Sequence, residues 1–125
     1  MIGVMDGTNV TDAGLKHLKR LPKLTTLLIQ RTQITGSGFG DLPGGLKTLW
    51  MQRNTPVTDE GLRNLSHLKH LETLHLAGTQ VTDEGLPHLE KLNSLRELYL
   101  ATTTSPAARA KLTKVLPDCK IVWPR

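Results

Sequence analysis

The phrase "VTDAGL" that opens at Val10 returns as "VTDEGL" at Val57 and at Val81, and a looser copy, "ITGSGF", opens at Ile34. Their first residues stand 24, 23 and 24 positions apart. A second pattern runs in step with the first: Leu24-x-x-Leu27-x-Ile29, Leu46-x-x-Leu49-x-Met51, Leu71-x-x-Leu74-x-Leu76 and Leu95-x-x-Leu98-x-Leu100. A chain that repeats a phrase and an apolar spacing at one period is built from copies of one small unit. Such a unit is too short to bury its own leucines, so neighbouring copies must stack.

Within a unit, the alternation in "LETLHLAG" (71 to 78) is that of a short strand with one buried face, Leu74 and Leu76 pointing inward and Thr73, His75 and Ala77 outward. The repeated phrase then reads as a helix start. Thr82 offers a hydroxyl as N-cap, Asp83 and Glu84 place negative charge on the first turn, and Val81 can meet Leu86 as a hydrophobic staple. Thr11 with Asp12, and Thr58 with Asp59 and Glu60, repeat this logic, whereas Ile34 to Phe39 keeps the staple pair and loses both acids. Gly14, Gly38, Gly61 and Gly85 share one place in the four copies, where the chain turns too tightly against its neighbour for a Cβ. Strands are expected near 2 to 5, 26 to 30, 48 to 52, 73 to 77, 97 to 101 and 120 to 123. Helices are expected near 12 to 20, 60 to 68, 84 to 92 and 106 to 116. In "GDLPGGLK" (40 to 47) the interval from Ile34 to Leu46 is 12 residues where the other units have 14. Pro43, Gly44 and Gly45 also disfavour a full helix, so the stretch 36 to 45 should hold a turn or a single 3₁₀ turn.

The L-x-x-L-x-L-x-x-(T/N) template and its period resemble the leucine-rich-repeat family over essentially the whole chain. The "VTDxGL" start is similar to the ribonuclease-inhibitor-like and cysteine-containing subclasses with bacterial-type repeats, although Thr32, Thr79 and Thr103 stand where those often carry Asn or Cys. The resemblance implies an α/β fold: a right-handed leucine-rich-repeat solenoid with a parallel concave sheet of short strands and outer helices, and parallel crossovers are right-handed in general. Residues 1–125 then form a single domain of about four repeats plus a partial N-terminal strand. Residues 105–125 read as a C-terminal cap, with Ser105 as N-cap, Pro106 at the first helical position and Leu112, Val115 and Leu116 inward. "MIGVMDGT" enters the repeat in mid-strand with no polar cap before it. Because solenoids need such caps, the expectation is either a longer native protein or self-association through this edge.

Composition narrows the function classes. Sixteen Lys and Arg against eleven Asp and Glu give a net charge of +5, compatible with acidic partners but not a polybasic tract. The single Cys119 excludes an internal disulfide, fits a reducing, cytoplasmic compartment, and takes the repeat place of Leu95, which makes it a buried inert thiol. No signal-peptide pattern and no apolar run of bilayer-spanning length is present, so a soluble chain with no membrane partner is expected. His67 and His70 stand three apart without a carboxylate or thiolate to complete a metal site, and no metal is expected. Ser37, Ser66, Ser94 and Ser105 lack a G-x-S-x-G context, and no glycine-rich phosphate loop occurs, so neither catalysis nor a cofactor is indicated.

What remains is binding. The outward residue between the two inward leucines gives the column Val4, Leu28, Trp50, His75, Tyr99 and Trp123. Aromatic side chains on a solvent-facing ribbon are characteristic of binding hot spots. Beside it runs a row of Asp6, Gln30, Gln52, Ala77 and Ala101, with Arg31 and Arg53 next to that, as a polar rim. The candidate partner-binding residues are therefore Leu28, Trp50, Gln52, Arg53, His75, Tyr99 and Trp123, and the competing reading is that the tryptophans only cover strand ends or the cap core. The leading function is a non-catalytic protein–protein interaction module binding another protein through the concave strand face. A second is a C-terminal recognition segment of a larger enzyme or signalling protein, of F-box, kinase or effector type. A third, nucleic-acid binding through the basic stretches "KHLKR" and "RAKLTK", is weaker, because those stretches read as solvated outer helix faces.

Overall fold

The chain is described here as a computed structural model covering residues 1–53, 56–101 and 103–122. Six strands, β1 (Ile2–Asp6), β2 (Thr26–Gln30), β3 (Thr48–Gln52), β4 (Thr73–His75), β5 (Glu97–Tyr99) and β6 (Lys120–Val122), form one sheet in sequence order. Every neighbouring pair is parallel. The register runs straight across: Leu27, Leu49 and Leu74 are partners, as are Leu28, Trp50 and His75. Since side chains alternate along a strand, one register puts the leucine ladder on one face and the ring-bearing residues on the other.

The inward ladder is dry. Leu27, Ile29, Leu49, Met51, Leu74, Leu76, Leu98 and Leu100 are all fully buried, joined by Leu15, Phe39, Leu62 and Leu89 from the connections. Those connections are mostly tighter than expected. Two are α-helical, α1 (Asp59–Arg63) and α2 (Pro106–Val115), whereas Asp12–Arg20, Phe39–Asp41 and Asp83–Leu89 are 3₁₀ helix. A 3₁₀ helix rises about 2.0 Å per residue against about 1.5 Å in an α-helix, so a short repeat returns to its starting edge with fewer residues. Pro87, which lacks a donor, lies within one of these segments. The second connection is the least helical, as its glycines and proline suggest, with three residues of 3₁₀ helix.

Strands β4 and β5 stop at His75 and Tyr99, two residues earlier than expected. Beyond β4 the chain drops against its neighbour: a Cβ on Gly78 would stand 2.6 Å from the backbone of Gln52. The glycine column of the phrase has a similar cause. A Cβ at Gly38 would meet the Asp12 carbonyl at 2.8 Å, one at Gly61 the Thr35 carbonyl at 2.5 Å, and one at Gly85 the Asp59 carboxylate. Gly14 has only the Met5 methyl at 3.5 Å.

The repeated Thr-Asp pair does something the local reading does not contain. Thr82 accepts from the Glu84 amide at 3.4 Å and Ser105 from the Ala108 amide at 3.2 Å, but Thr11 and Thr58 make no such cap. The aspartates reach instead into the next repeat. Asp12 accepts from the Thr35 amide (2.9 Å) and hydroxyl (2.8 Å) and from the amides of Gly36 (3.0 Å) and Gly38 (3.1 Å). Asp59 accepts from the Thr82 amide at 2.7 Å and hydroxyl at 2.5 Å, and Asp83 from the Ser105 amide at 2.6 Å. Each carboxylate thus fastens one corner to the following one.

Candidate functional site

On the sheet face away from the leucines, the rings of β3, β4 and β5 form one stack. Trp50 and His75 lie 4.2 Å apart between centroids with planes 22° apart, and His75 and Tyr99 lie 4.9 Å apart at 24°. Trp50 and Tyr99 approach to 5.7 Å at 44°. Parallel strands about 4.8 Å apart in register set the Trp50–His75 and His75–Tyr99 spacings, since these are register partners, and the rings of Trp50 and Tyr99, two strands apart, lean toward each other. All three are partly exposed.

Each ring is also anchored by hydrogen bonds. Trp50 Nε1 donates to Gln52 Oε1 at 3.0 Å, and Tyr99 Oη donates to a Glu97 carboxylate oxygen at 3.0 Å. Both partners are two residues away on the same strand, the spacing that puts two side chains on one face. His75 Nδ1 lies 3.2 Å from the Met51 carbonyl, which places a proton on Nδ1 and leaves Nε2 as an acceptor in the neutral ring. Burial pushes the His75 imidazole below its ordinary value, more than the Met51 carbonyl draws it up. Hydrogen bonding to Glu97, followed by the charge of that carboxylate, pushes the Tyr99 phenol up.

From Trp50 the hydrogen bonding continues along the rim. Gln52 Nε2 donates to Gln30 Oε1 at 3.1 Å, and Gln30 Nε2 donates to Asp6 Oδ2 at 3.0 Å. Asp6 also receives both Arg31 Nε, at 2.9 Å, and Arg31 Nη2. The Arg31 hydrogen bond, followed against some burial by Gln30 and by the charges of Arg31 and Arg53, holds the Asp6 carboxyl below the usual carboxylate range. The backbone at Arg31 (φ 53°) and Arg53 (φ 56°) is left-handed, where the equivalent Gly7 has φ 118°. For a residue with a Cβ that conformation costs roughly 1–2 kcal/mol. The two turns are joined, Arg31 N donating to the Arg53 carbonyl at 3.0 Å.

Of the sequence candidates, Trp50, His75, Tyr99 and Gln52 come together directly, Leu28 lies half-buried as the register partner of Val4 and Trp50, and Arg53 is exposed at the rim. Val4 is 60% exposed. The sixth place in the column belongs to Val122, the register partner of Tyr99. Trp123, expected in this column, lies outside the described residues. The rim is also shorter than expected: Ala77 is half-buried and Ala101 only 1% exposed, because the chain has left the strand before reaching them. Glu97, which the sequence candidates leave out, is a hydrogen-bonded neighbour of Tyr99 that its place two residues earlier marks. Away from this face, His67 Nε2 contacts the Leu42 carbonyl at 2.9 Å, and Cys119 is buried, with burial pushing its thiol up. Among the described residues no three His, Cys, Asp or Glu side chains gather as a metal ion would need. No helix among them is long and apolar enough to cross a membrane.

Residues 67–86 match the profile of the leucine-rich repeat. Among solved structures, the chain is similar to a leucine-rich-repeat protein of Leptospira interrogans, with 24% sequence identity and a TM-score of 0.51, a likeness in fold. It covers 85% of this chain and 33% of that one, so this chain spans well under half the length of the Leptospira protein. No curated protein matches the chain. The six-stranded parallel sheet has the α/β solenoid fold of that leucine-rich-repeat structure, and one of its repeats matches the leucine-rich-repeat profile.

Proposed function

We propose that the chain is a non-catalytic protein-interaction module that binds through its concave strand face, with Trp50, His75 and Tyr99 at the centre and Leu28, Gln52 and Arg53 around them. Protein interaction is the general role the leucine-rich-repeat family suggests; fold alone names no partner. The observation that carries the reading is the cluster of three partly exposed rings on the sheet face away from the leucines. Large rings held in one rotamer by neighbours and hydrogen bonds lose little entropy on binding, which is why such side chains dominate interfaces. The same face would serve as a recognition segment of a longer protein, a reading favoured by the likeness to one third of the Leptospira chain.

The test compares two truncations. Leu74, fully buried, opens a cavity on replacement by Ala and should cost about 2–5 kcal/mol of stability. Trp50→Ala truncates a partly exposed ring and should cost less stability than Leu74→Ala, yet should weaken partner capture from source-cell lysate by about 2 kcal/mol or more. If Trp50→Ala unfolds the chain as Leu74→Ala does, Trp50 is core. If it melts almost normally and keeps every partner, the face is not the interface. Nucleic-acid binding would show instead as capture that falls steeply with salt.

A further inference from the structure

The rim beside Trp50 carries an imbalance of charge. Arg31 is committed, its guanidinium forked onto Asp6, while Gln30 binds the same carboxylate. Arg53, one strand further in, is exposed, and among the described residues the ion pairs are Arg31–Asp6 and Arg63–Glu60. Two guanidinium groups therefore share one carboxylate, and Arg53 is the one left over. Its position is fixed by the left-handed backbone and by its carbonyl, which accepts from Arg31 N. A glycine would fill that conformation without strain, as at Gly7.

What lies next to Arg53 is apolar and aromatic on one side and amide on the other. Val4, Leu28 and Trp50 run across three successive strands, and Gln30 and Gln52 flank them. Trp50, His75 and Tyr99 contact one another as a cluster of three rings at the end of that row. Nucleic-acid single strands are held by a positively charged groove that tracks the backbone together with stacked bases, and this rim offers one uncommitted guanidinium, Arg53. A lone arginine beside an apolar row instead matches a protein segment, since a guanidinium takes a carboxylate in a two-point, charge-assisted contact.

We propose that the concave face receives a partner segment in which an apolar side chain settles on Val4, Leu28 and Trp50 while a neighbouring Asp or Glu side chain pairs with Arg53. This rests on the concave-face reading above and adds the chemistry of the partner. It also accounts for an arginine on a left-handed backbone, since the residue that suits the turn best would have no charge to offer.

The probe is a displayed library of random peptides selected on the intact chain, with the recovered peptides then synthesised and measured in solution. The expected result is a set enriched in Asp or Glu next to an apolar residue, in which changing the acid to its amide weakens binding about tenfold or more, about 1.4 kcal/mol. Arg53→Gly should weaken the acidic peptides by a similar factor, abolish the difference between acid and amide, and leave the melting temperature no lower, because the turn is relieved. A structural arginine would show the opposite, loss of stability with the acid preference kept. Arg53→Lys should retain part of the preference, and Lys111→Gln, on α2 away from the face, all of it. Peptides that depend on Trp50 but not on their acid, or on their acid but not on Arg53, overturn this proposal and leave the concave-face reading standing. A library that yields no peptide weakened by Trp50→Ala overturns both.

Discussion

His75 packs against two rings that also meet each other, and its burial gives the cluster a pH dependence with a definite sign. In the fold the neutral imidazole is favoured, its value lying below the ordinary 6.5 because of burial. As pH falls through 6.5 the unfolded chain takes up a proton that the folded chain does not, so stability declines until the folded value is reached and then levels off. Urea denaturation at about pH 7.5 and about pH 5 should show this loss, and His75→Phe, which keeps a ring in the stack, should lose less over the same interval. Equal losses in both proteins would show that His75 does not contribute. At this scale the sequence was legible wherever the period was 24 or its register was restated by a leucine, as for Trp50, His75 and Tyr99. The last strand was less legible, because Cys119 and Ile121 are separated by one residue where Leu95 and Leu98 are separated by two. A single-residue slip exchanges the two faces of a strand, and the sheet pairs Ile121 with Leu98 and Val122 with Tyr99.

The elements were legible in kind and place, less so in what ties them together. All six strands begin where the alternation put them, although β4 and β5 stop two residues short of it, and the glycines at 38, 61 and 85 are tight for the expected reason. The phrase's aspartates were read as charges for their own helix starts, since capping is a local rule that sequence displays directly. Their main hydrogen-bond partners lie a whole repeat away, where letter order gives no signal beyond the recurrence itself. Asp12 shows how strong this link is: burial tends to raise its carboxyl, yet hydrogen bonds from Thr35, Gly38 and Gly36 hold it below its ordinary 3.8. Asp12→Ala leaves those donors without an acceptor and should cost about 1–3 kcal/mol. Because the folded value is lowered, the carboxylate's contribution is present above 3.8 and is lost as pH falls through the folded value. Acid denaturation followed by circular dichroism should therefore begin at lower pH in the wild type than would be so without the link, and the stability gap between wild type and Asp12→Ala should narrow in acid. A gap that stays constant there would mean that Asp12 acts by packing rather than by charge.

Across the whole molecule, stability in a stacked array is close to a sum of unit terms and nearest-neighbour terms, so an unlike interface becomes a place where the array can part. The second unit supplies one. Where other copies carry the linking aspartate it has Gly36, and Thr58 N instead donates to the Thr35 carbonyl at 3.2 Å. With no carboxylate between them the two corners meet as bare backbone: a Cβ on Gly36 would stand 2.6 Å from Gly61 Cα, and Gly36 has a φ of 103°. Neither the contact nor the turn tolerates a side chain, so Gly36→Ala strains the turn and wedges the second and third units apart. Gly40→Ala, on a site with nothing within 4 Å, is the matched control. If the nearest-neighbour description holds, native-state hydrogen exchange of Gly36→Ala should speed up most at the amides of β2 and β3. Those of Leu76 and Leu100, which donate to Tyr99 and Val122 at 2.7 Å, should keep more of their protection. Equal acceleration from β2 through β6 would instead show that these five strands open as one unit, and that the missing aspartate leaves no weak point in the array.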